Sequence, residues 1–155
     1  MADFRFHVPT ECFIGQDAIY KIPLLLEGGL DRAVLVADPD LKEAKSAERL
    51  MAVLEGRGVK IILFDELKNR PSSAAVEAAT ALVRGSCAPL VIGLGGIQTI
   101  HTAKAVAALA TSDRRVDDWM DGEIPTKPPL PLILVPTSYR DPFIISGGLV
   151  LGDAR

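Results

Sequence analysis

Apolar runs of strand length alternate along this chain with stretches whose apolar residues recur at helical spacing. Continuous apolar runs at 33–37 and 131–135 are typical of buried parallel strands, residues 60–64 (KIILF) read as another strand, and a shorter run at 90–92 leads into a glycine turn. Helical periodicity follows three of these runs, through Leu41 to Leu54, Val76 to Val83 and Ile100 to Ala110. The alternation predicts an α/β fold, a Rossmann-like, mostly parallel sheet with helices on both faces.

Three shorter features complete the predicted fold. Phe4, Phe6 and residues 12–14 form two extended pieces separated by a Pro-Thr pair, which predicts an N-terminal antiparallel edge hairpin. Residues 116–120 read as a helical turn, and residues 149–151 could make one more short strand. We interpret residues 1–155 as a single domain, because this length is sufficient for one core and too short for two of ordinary size.

The stretch from Val91 to Ala105 joins a strand, a glycine turn and a helix without interruption. Gly93, Gly95 and Gly96 carry no Cβ, and the helix after them offers free N–H groups and a positive dipole end, which favour a bound phosphate. The G-x-G-x-x-G fingerprint would require glycine in place of Gln98, and in an ordinary Rossmann fold it follows the first strand. A tight connection that binds nothing is the alternative.

Polar residues also follow two of the other predicted strands. Asp38 can cap a helix that begins at Pro39, or it can hold a ribose hydroxyl at the carboxyl end of its strand. Thr137 and Ser138 can meet a ligand in the same crevice, or they can serve as turn residues. His101 lacks a partner at any recognised spacing, and we interpret it first as a helix residue near this crevice.

Composition narrows the possible partners. A net charge of −3, with Lys and Arg scattered, argues against nucleic acid. The N-terminus lacks the pattern of a signal peptide and no apolar run reaches the ~18 residues that cross a bilayer, so we predict a cytoplasmic protein without membrane contact. Cys12 and Cys87 are expected to be buried lone thiols, and they and the two histidines show no metal-site spacing.

Several motifs, in this order, resemble the N-terminal half of the iron-containing alcohol dehydrogenase family, which includes glycerol dehydrogenases and dehydroquinate synthase. The motifs are FIG at 13–15, LVADPDL at 35–41, the loop around Asn69, VIGLGGIQTIHTAKAVA from 91 and PPLPLILVPTS at 128–138. The resemblance implies a Rossmann-like domain that binds NAD or NADP. It also implies a helical C-terminal domain, absent from this chain, whose Asp and three His residues hold iron or zinc.

The resemblance also implies roles for individual residues. Asp38 would lie near the adenosine ribose, Gly95 and Gly96 would face the pyrophosphate, and Thr137 and Ser138 would line the cofactor cleft. Asn69 would be a further cofactor contact, although Arg70 stands where the family usually has proline. Ile97 and Gln98, also expected at the cofactor, replace a glycine and a serine of the family's phosphate turn.

Two further departures leave two hypotheses open. His101 stands where the family has Asp, and residues 139–144 replace a stretch rich in glycine, threonine and serine. The first hypothesis is the NAD(P)-binding part of an oxidoreductase, not catalytically complete alone, whose partner would be another copy or a separate C-terminal domain. The alternative is a degenerate, non-catalytic homologue that acts as an assembly or regulatory module.

Overall fold

The computed structural model describes residue 8 and residues 10–26, 29–42, 45–67 and 71–153. Four strands and four α-helices alternate along this part of the chain, with two 3-10 helices, Ala18–Leu25 and Pro39–Lys42, before and after the first strand. In chain order the elements are β1 (Arg32–Ala37), α1 (Ser46–Glu55), β2 (Lys60–Phe64), α2 (Ser73–Ser86), β3 (Val91–Gly95), α3 (Ile97–Ala110), α4 (Val116–Met120) and β4 (Leu132–Pro136).

The strands form one parallel sheet in the order β2-β1-β3-β4. The register pairs Ala37 with Leu94 and Gly95 with Pro136, so the carboxyl ends of β1, β3 and β4 lie at the same edge. Between β1 and β3 the strand order reverses direction, which makes this position the topological switch point of the sheet. The Rossmann-like, mostly parallel α/β fold predicted from the sequence is confirmed.

Alternation along β1 divides the core between the two faces of the sheet. Val34 and Val36 are fully buried in a cluster with residues of α2 and α3, whereas Leu35 is fully buried with residues of α1 on the opposite face. This period of two, with apolar residues on both sides, is what a parallel strand between two helical layers requires. On the first face, Gly93 lets α3 approach closely, because a Cβ there would lie 2.7 Å from Ala103 Cβ.

The predicted edge hairpin is not shown. Residues 4 and 6 lie outside the described residues, and residues 12–14 belong to no strand. In this segment, the hydroxyl of Thr10 donates to the carbonyl of Ile145, at the far end of the chain. A side-chain hydrogen bond therefore holds this segment, where backbone hydrogen bonds between two strands were expected.

Other local expectations also need correction. The helix predicted after Asp38 is split into the 3-10 helix and α1, and β4 is half-buried along its length. Residues 149–151 form no strand, but Gly152 makes a single parallel bridge with Ser72. Both cysteines, expected to be buried, are exposed, and Cys87 ends α2 in the left-handed conformation, with φ 51°.

Arg84 joins α2 to the C-terminus of α3. Its Nη2 donates to the carbonyls of Leu109, in the last turn of α3, at 2.7 Å and of Ser112, just beyond the helix, at 2.6 Å. We expect Arg84→Met to lower the free energy of unfolding by about 1–2 kcal/mol, because charge-assisted bonds to helix-end carbonyls are lost. Urea titration followed by circular dichroism measures this change.

Lys127→Met is the matched control for Arg84. Arg84 is also exposed, but it bonds to the carbonyl of the buried Leu109, whereas Lys127 pairs at 2.7 Å with the exposed Asp113, and such exposed pairs contribute about 0.2–1 kcal/mol. Equal loss of stability in the two variants would show that Arg84 does not act as a cap.

Candidate functional site

Three strands deliver polar groups to one point on the carboxyl edge of the sheet. The backbone N–H of Asp38, just after β1, donates to Leu94 O at 3.2 Å, and that of Thr137, just after β4, donates to Gly95 O at 2.9 Å. The residues that follow β1 and β4 are therefore held against the end of β3, with the N-terminus of α3 beside them. Asp38, Gly95, Gly96 and Thr137, predicted to share a crevice, are neighbours.

Gly95 allows this convergence. Its φ is +156°, and a Cβ at this position would lie 2.4 Å from Thr99 Oγ1 and 3.1 Å from Asp38 Cβ. Both neighbours pack where any other residue would place a side chain. The glycine thus sets the spacing between the end of β1 and the first turn of α3.

The N-terminus of α3 opens at this junction. Gly96 is the N-cap residue, and among the described residues no side chain accepts a hydrogen bond there and no acidic residue lies in the first turn. The N–H of Ile100 donates to Gly96 O at 3.0 Å, so the ladder of this 14-residue helix starts there and the N–H groups of the preceding turn have no partner within the helix. These amides and the helix dipole form a site suited to an anion such as a phosphate.

Asp38 makes the capping contact that the sequence offered as one of its two roles, and its second carboxylate oxygen contacts Gln98. Its Oδ1 accepts from the N–H of Asp40 at 3.2 Å, as a residue that caps a turn does, and its Oδ2 accepts from Gln98 Nε2 at 3.4 Å. The carboxylate is half-buried and is held at the switch point from both sides. A hydroxyl group in the crevice could donate to it.

Ile97 and Gln98 lie on the same helical turn, but their side chains contact different parts of the structure. Gln98 reaches across to Asp38, whereas Ile97, 44% exposed, borders an apolar cavity of about 410 Å³. The other lining residues include Phe143 and Val150, from the segment after β4.

The two hydroxyl residues after β4 differ in exposure. Thr137 is exposed, and Ser138 is half-buried with its Oγ accepting from the N–H of Arg140 at 3.4 Å. Ser138 thus makes the turn contact that was the alternative to ligand binding. Asn69 lies outside the described residues.

The sequence did not reveal a buried polar cluster one turn further along α3. His101, Lys104 and Asp141 are 2%, 8% and 5% exposed, and His101 Nε2 lies 3.0 Å from Asp141 Oδ2. One signal was available, since Lys104 is the one charged residue in the otherwise uncharged α3. A lone charge on a buried helix indicates a specific partner.

Burial lowers the pKa of the Lys104 ammonium, and the nearby Asp141 carboxylate raises it, with burial the larger effect. The unfolded chain keeps this proton up to the ordinary pKa of 10.5, above the folded value, so stability rises with pH between the two values. We expect the stability of the wild-type chain relative to Lys104→Met to increase as the pH rises from 7 to 10.5. Urea titrations of both proteins at several pH values test this, and a difference that falls over this range would contradict the assignment.

The described residues hold neither a cluster of metal ligands nor a membrane-spanning helix. They contain no group of three or more His, Cys, Asp or Glu side chains that could hold a metal ion. None of their helices combines the length and apolar character needed to span a bilayer.

Comparisons with known proteins agree with the fold and with one another. The family model described as iron-containing alcohol dehydrogenase matches residues 9–141. Alcohol dehydrogenase 4 of Saccharomyces cerevisiae strain YJM789 is 26% identical over 134 residues, which are 86% of this chain and 35% of the yeast protein.

Two solved structures from Thermotoga maritima are similar over 88% of this chain. NADH-dependent butanol dehydrogenase A has a TM-score of 0.80 at 25% identity, and an iron-containing alcohol dehydrogenase has a TM-score of 0.77 at 31% identity. The match covers 35% and 38% of those two chains. This chain therefore spans about a third of the length of the relatives it matches.

Proposed function

Because this chain belongs to the iron-containing alcohol dehydrogenase family, we propose that it binds a nicotinamide dinucleotide across the carboxyl edge of its sheet. The observation that carries the proposal is the uncapped N-terminus of α3, which opens directly beside the Asp38 carboxylate at the switch point. Ligands of open α/β sheets bind at this position.

The strand order suggests how the dinucleotide lies. We propose the adenosine ribose at Asp38, after β1, and the pyrophosphate at Gly95, Gly96 and the amides of the first turn of α3. The nicotinamide half then extends toward the end of β4, past Thr137 and Ser138. Residues 97 and 98 flank the pyrophosphate position, with Gln98 on the Asp38 side.

The residues fit such a ligand. Space for the phosphates is open at Gly96, because a Cβ there would meet no atom within 4 Å beyond its chain neighbours. The Asp38 carboxylate can accept from ribose hydroxyls, and its charge would repel the 2′-phosphate of NADP, so we propose NAD as the preferred cofactor. When bound, NAD supplies hydride transfer at its nicotinamide ring, and the residues of this chain hold and orient it.

A complete oxidoreductase needs more than the described residues. These residues contain no cluster of potential metal ligands, and the chain spans about a third of the length of its relatives. The iron or zinc ligands that the resemblance implies would have to come from residues other than those described. We therefore propose cofactor binding as the contribution of this chain to an alcohol or aldehyde oxidoreductase.

Isothermal titration calorimetry with NAD, NADP and ADP tests the proposal. We expect NAD to bind more tightly than NADP, and ADP to bind because it contains both the ribose and the pyrophosphate. Circular dichroism of the same sample shows whether the chain is folded. A folded chain that binds none of the three at millimolar concentration would contradict the proposal and favour the non-catalytic module.

A further inference from the structure

The segment that follows β4 has no regular secondary structure over residues 139–152 except a single bridge residue, yet it is fastened to α3. Two side chains of α3, His101 and Lys104, hold it together with Asp141 of the segment itself. All three side chains are buried, so this is not an incidental surface contact.

His101 is held through both ring nitrogens. Its Nδ1 accepts from the N–H of Val150 at 2.8 Å, and its Nε2 lies 3.0 Å from Asp141 Oδ2. Nδ1 also lies 3.0 Å from the carbonyl oxygen of Val150, so both backbone groups of that residue contact the ring. Neither nitrogen is left for a ligand, so this histidine holds backbone and carboxylate in place.

Lys104 binds the turn that lies between those two contacts. Its Nζ donates to three backbone carbonyls, those of Phe143, of Ser146 at 2.9 Å and of Gly148 at 3.1 Å. Asp141 Oδ1 accepts from the N–H of Phe143 at 2.8 Å. Contacts with α3 therefore recur every two or three residues from 141 to 150, so the segment is held against the helix along its whole length.

The fastened segment forms one side of the apolar cavity beside α3. Pro142, Phe143 and Val150 line it together with Ile97, at the N-terminus of the helix. His101 also supports the Phe143 ring in an edge contact, with ring centres 5.9 Å apart. The cavity lies next to the first turn of α3, and its wall follows β4 in the chain.

We infer that His101 and Lys104 are positioning residues, which hold residues 141–150 as the wall against which the nicotinamide half of the dinucleotide lies. The inference rests on the proposed function, which directs that half from α3 toward the end of β4. The adenosine and pyrophosphate positions, at Asp38 and Gly96, are not among the residues that line this cavity, so ADP binding is not expected to depend on the wall.

The test compares NAD with ADP, which lacks the nicotinamide half. In Lys104→Met we expect the Kd for NAD to rise about tenfold, because the wall must then be ordered on binding, and the Kd for ADP to change less than about twofold. Hydrogen exchange of the amides at 141–150 should accelerate in the same variant. Lys104→Arg should restore part of the NAD affinity, and Lys127→Met, an exposed lysine in an ion pair, is the control expected to match the wild-type chain.

Asp141→Asn provides a second, milder variant if Lys104→Met does not fold. An asparagine keeps one acceptor oxygen where the carboxylate uses two, so we expect a smaller selective loss of NAD affinity. Equal loss of NAD and ADP affinity, or unchanged NAD affinity with accelerated exchange, would overturn the inference while the proposed function stands. A wild-type chain that binds neither nucleotide would overturn both.

Discussion

Gly95→Ala is expected to lower the free energy of unfolding by about 2–5 kcal/mol, the sum of two separate costs. The first is steric, because the new Cβ would lie 2.4 Å from Thr99 Oγ1 and 2.8 Å from Thr99 Cβ, in a buried turn. The second is conformational, because φ at this position is +156°, which L-residues rarely adopt. Urea titration followed by circular dichroism measures the sum.

Gly96→Ala is the matched control, one residue further along the same turn. Gly96 has φ −86° and a Cβ there would meet no atom within 4 Å beyond its chain neighbours, so we expect a loss below about 1 kcal/mol. If both alanines destabilise the chain equally, the close approach of α3 to the end of β1 is not what requires Gly95.

Continuous apolar runs predicted the sheet well, because a strand covered on both faces needs apolar residues at every position. The predicted bounds of β2 and of α4 agree with the structure residue for residue. The prediction of one continuous helix after Asp38 was wrong, because Lys45 adopts a left-handed φ of 55° just before α1. Apolar periodicity continues across such a break, since it reports which face is buried and not where the backbone turns.

The crevice could be predicted because parallel strands bring their carboxyl ends together whatever their side chains are. The residues at the carboxyl ends of β1, β3 and β4 therefore met as expected at Asp38, Gly95 and Thr137. Spacing could not reveal the cluster of His101, Lys104 and Asp141, whose members are 37 residues apart or more across the helix–segment contact. Three of the acceptors for Lys104 are backbone carbonyls, which every residue type carries.

Asp38→Asn is expected to raise the Kd for NAD by about 10- to 100-fold, because hydrogen bonds to a charged acceptor contribute about 1.5–3 kcal/mol. The amide oxygen can still accept from the N–H of Asp40, but the second carboxylate oxygen, which faces Gln98, is lost. Removal of the negative charge also relieves repulsion of a 2′-phosphate. Calorimetric titration with both cofactors should therefore show a smaller preference for NAD over NADP.

Asp40→Asn separates this local effect from a change in net charge. Asp40 is exposed, lies two residues away and loses the same charge, but only its backbone N–H contacts Asp38. A carboxylate that accepts hydrogen bonds from ribose hydroxyls acts only over hydrogen-bond distance. A general electrostatic effect of the charge would instead be similar at both positions and would weaken with added salt. Equal changes in cofactor preference in the two variants would therefore remove Asp38 from the ribose site and leave the dinucleotide held by the amides of α3.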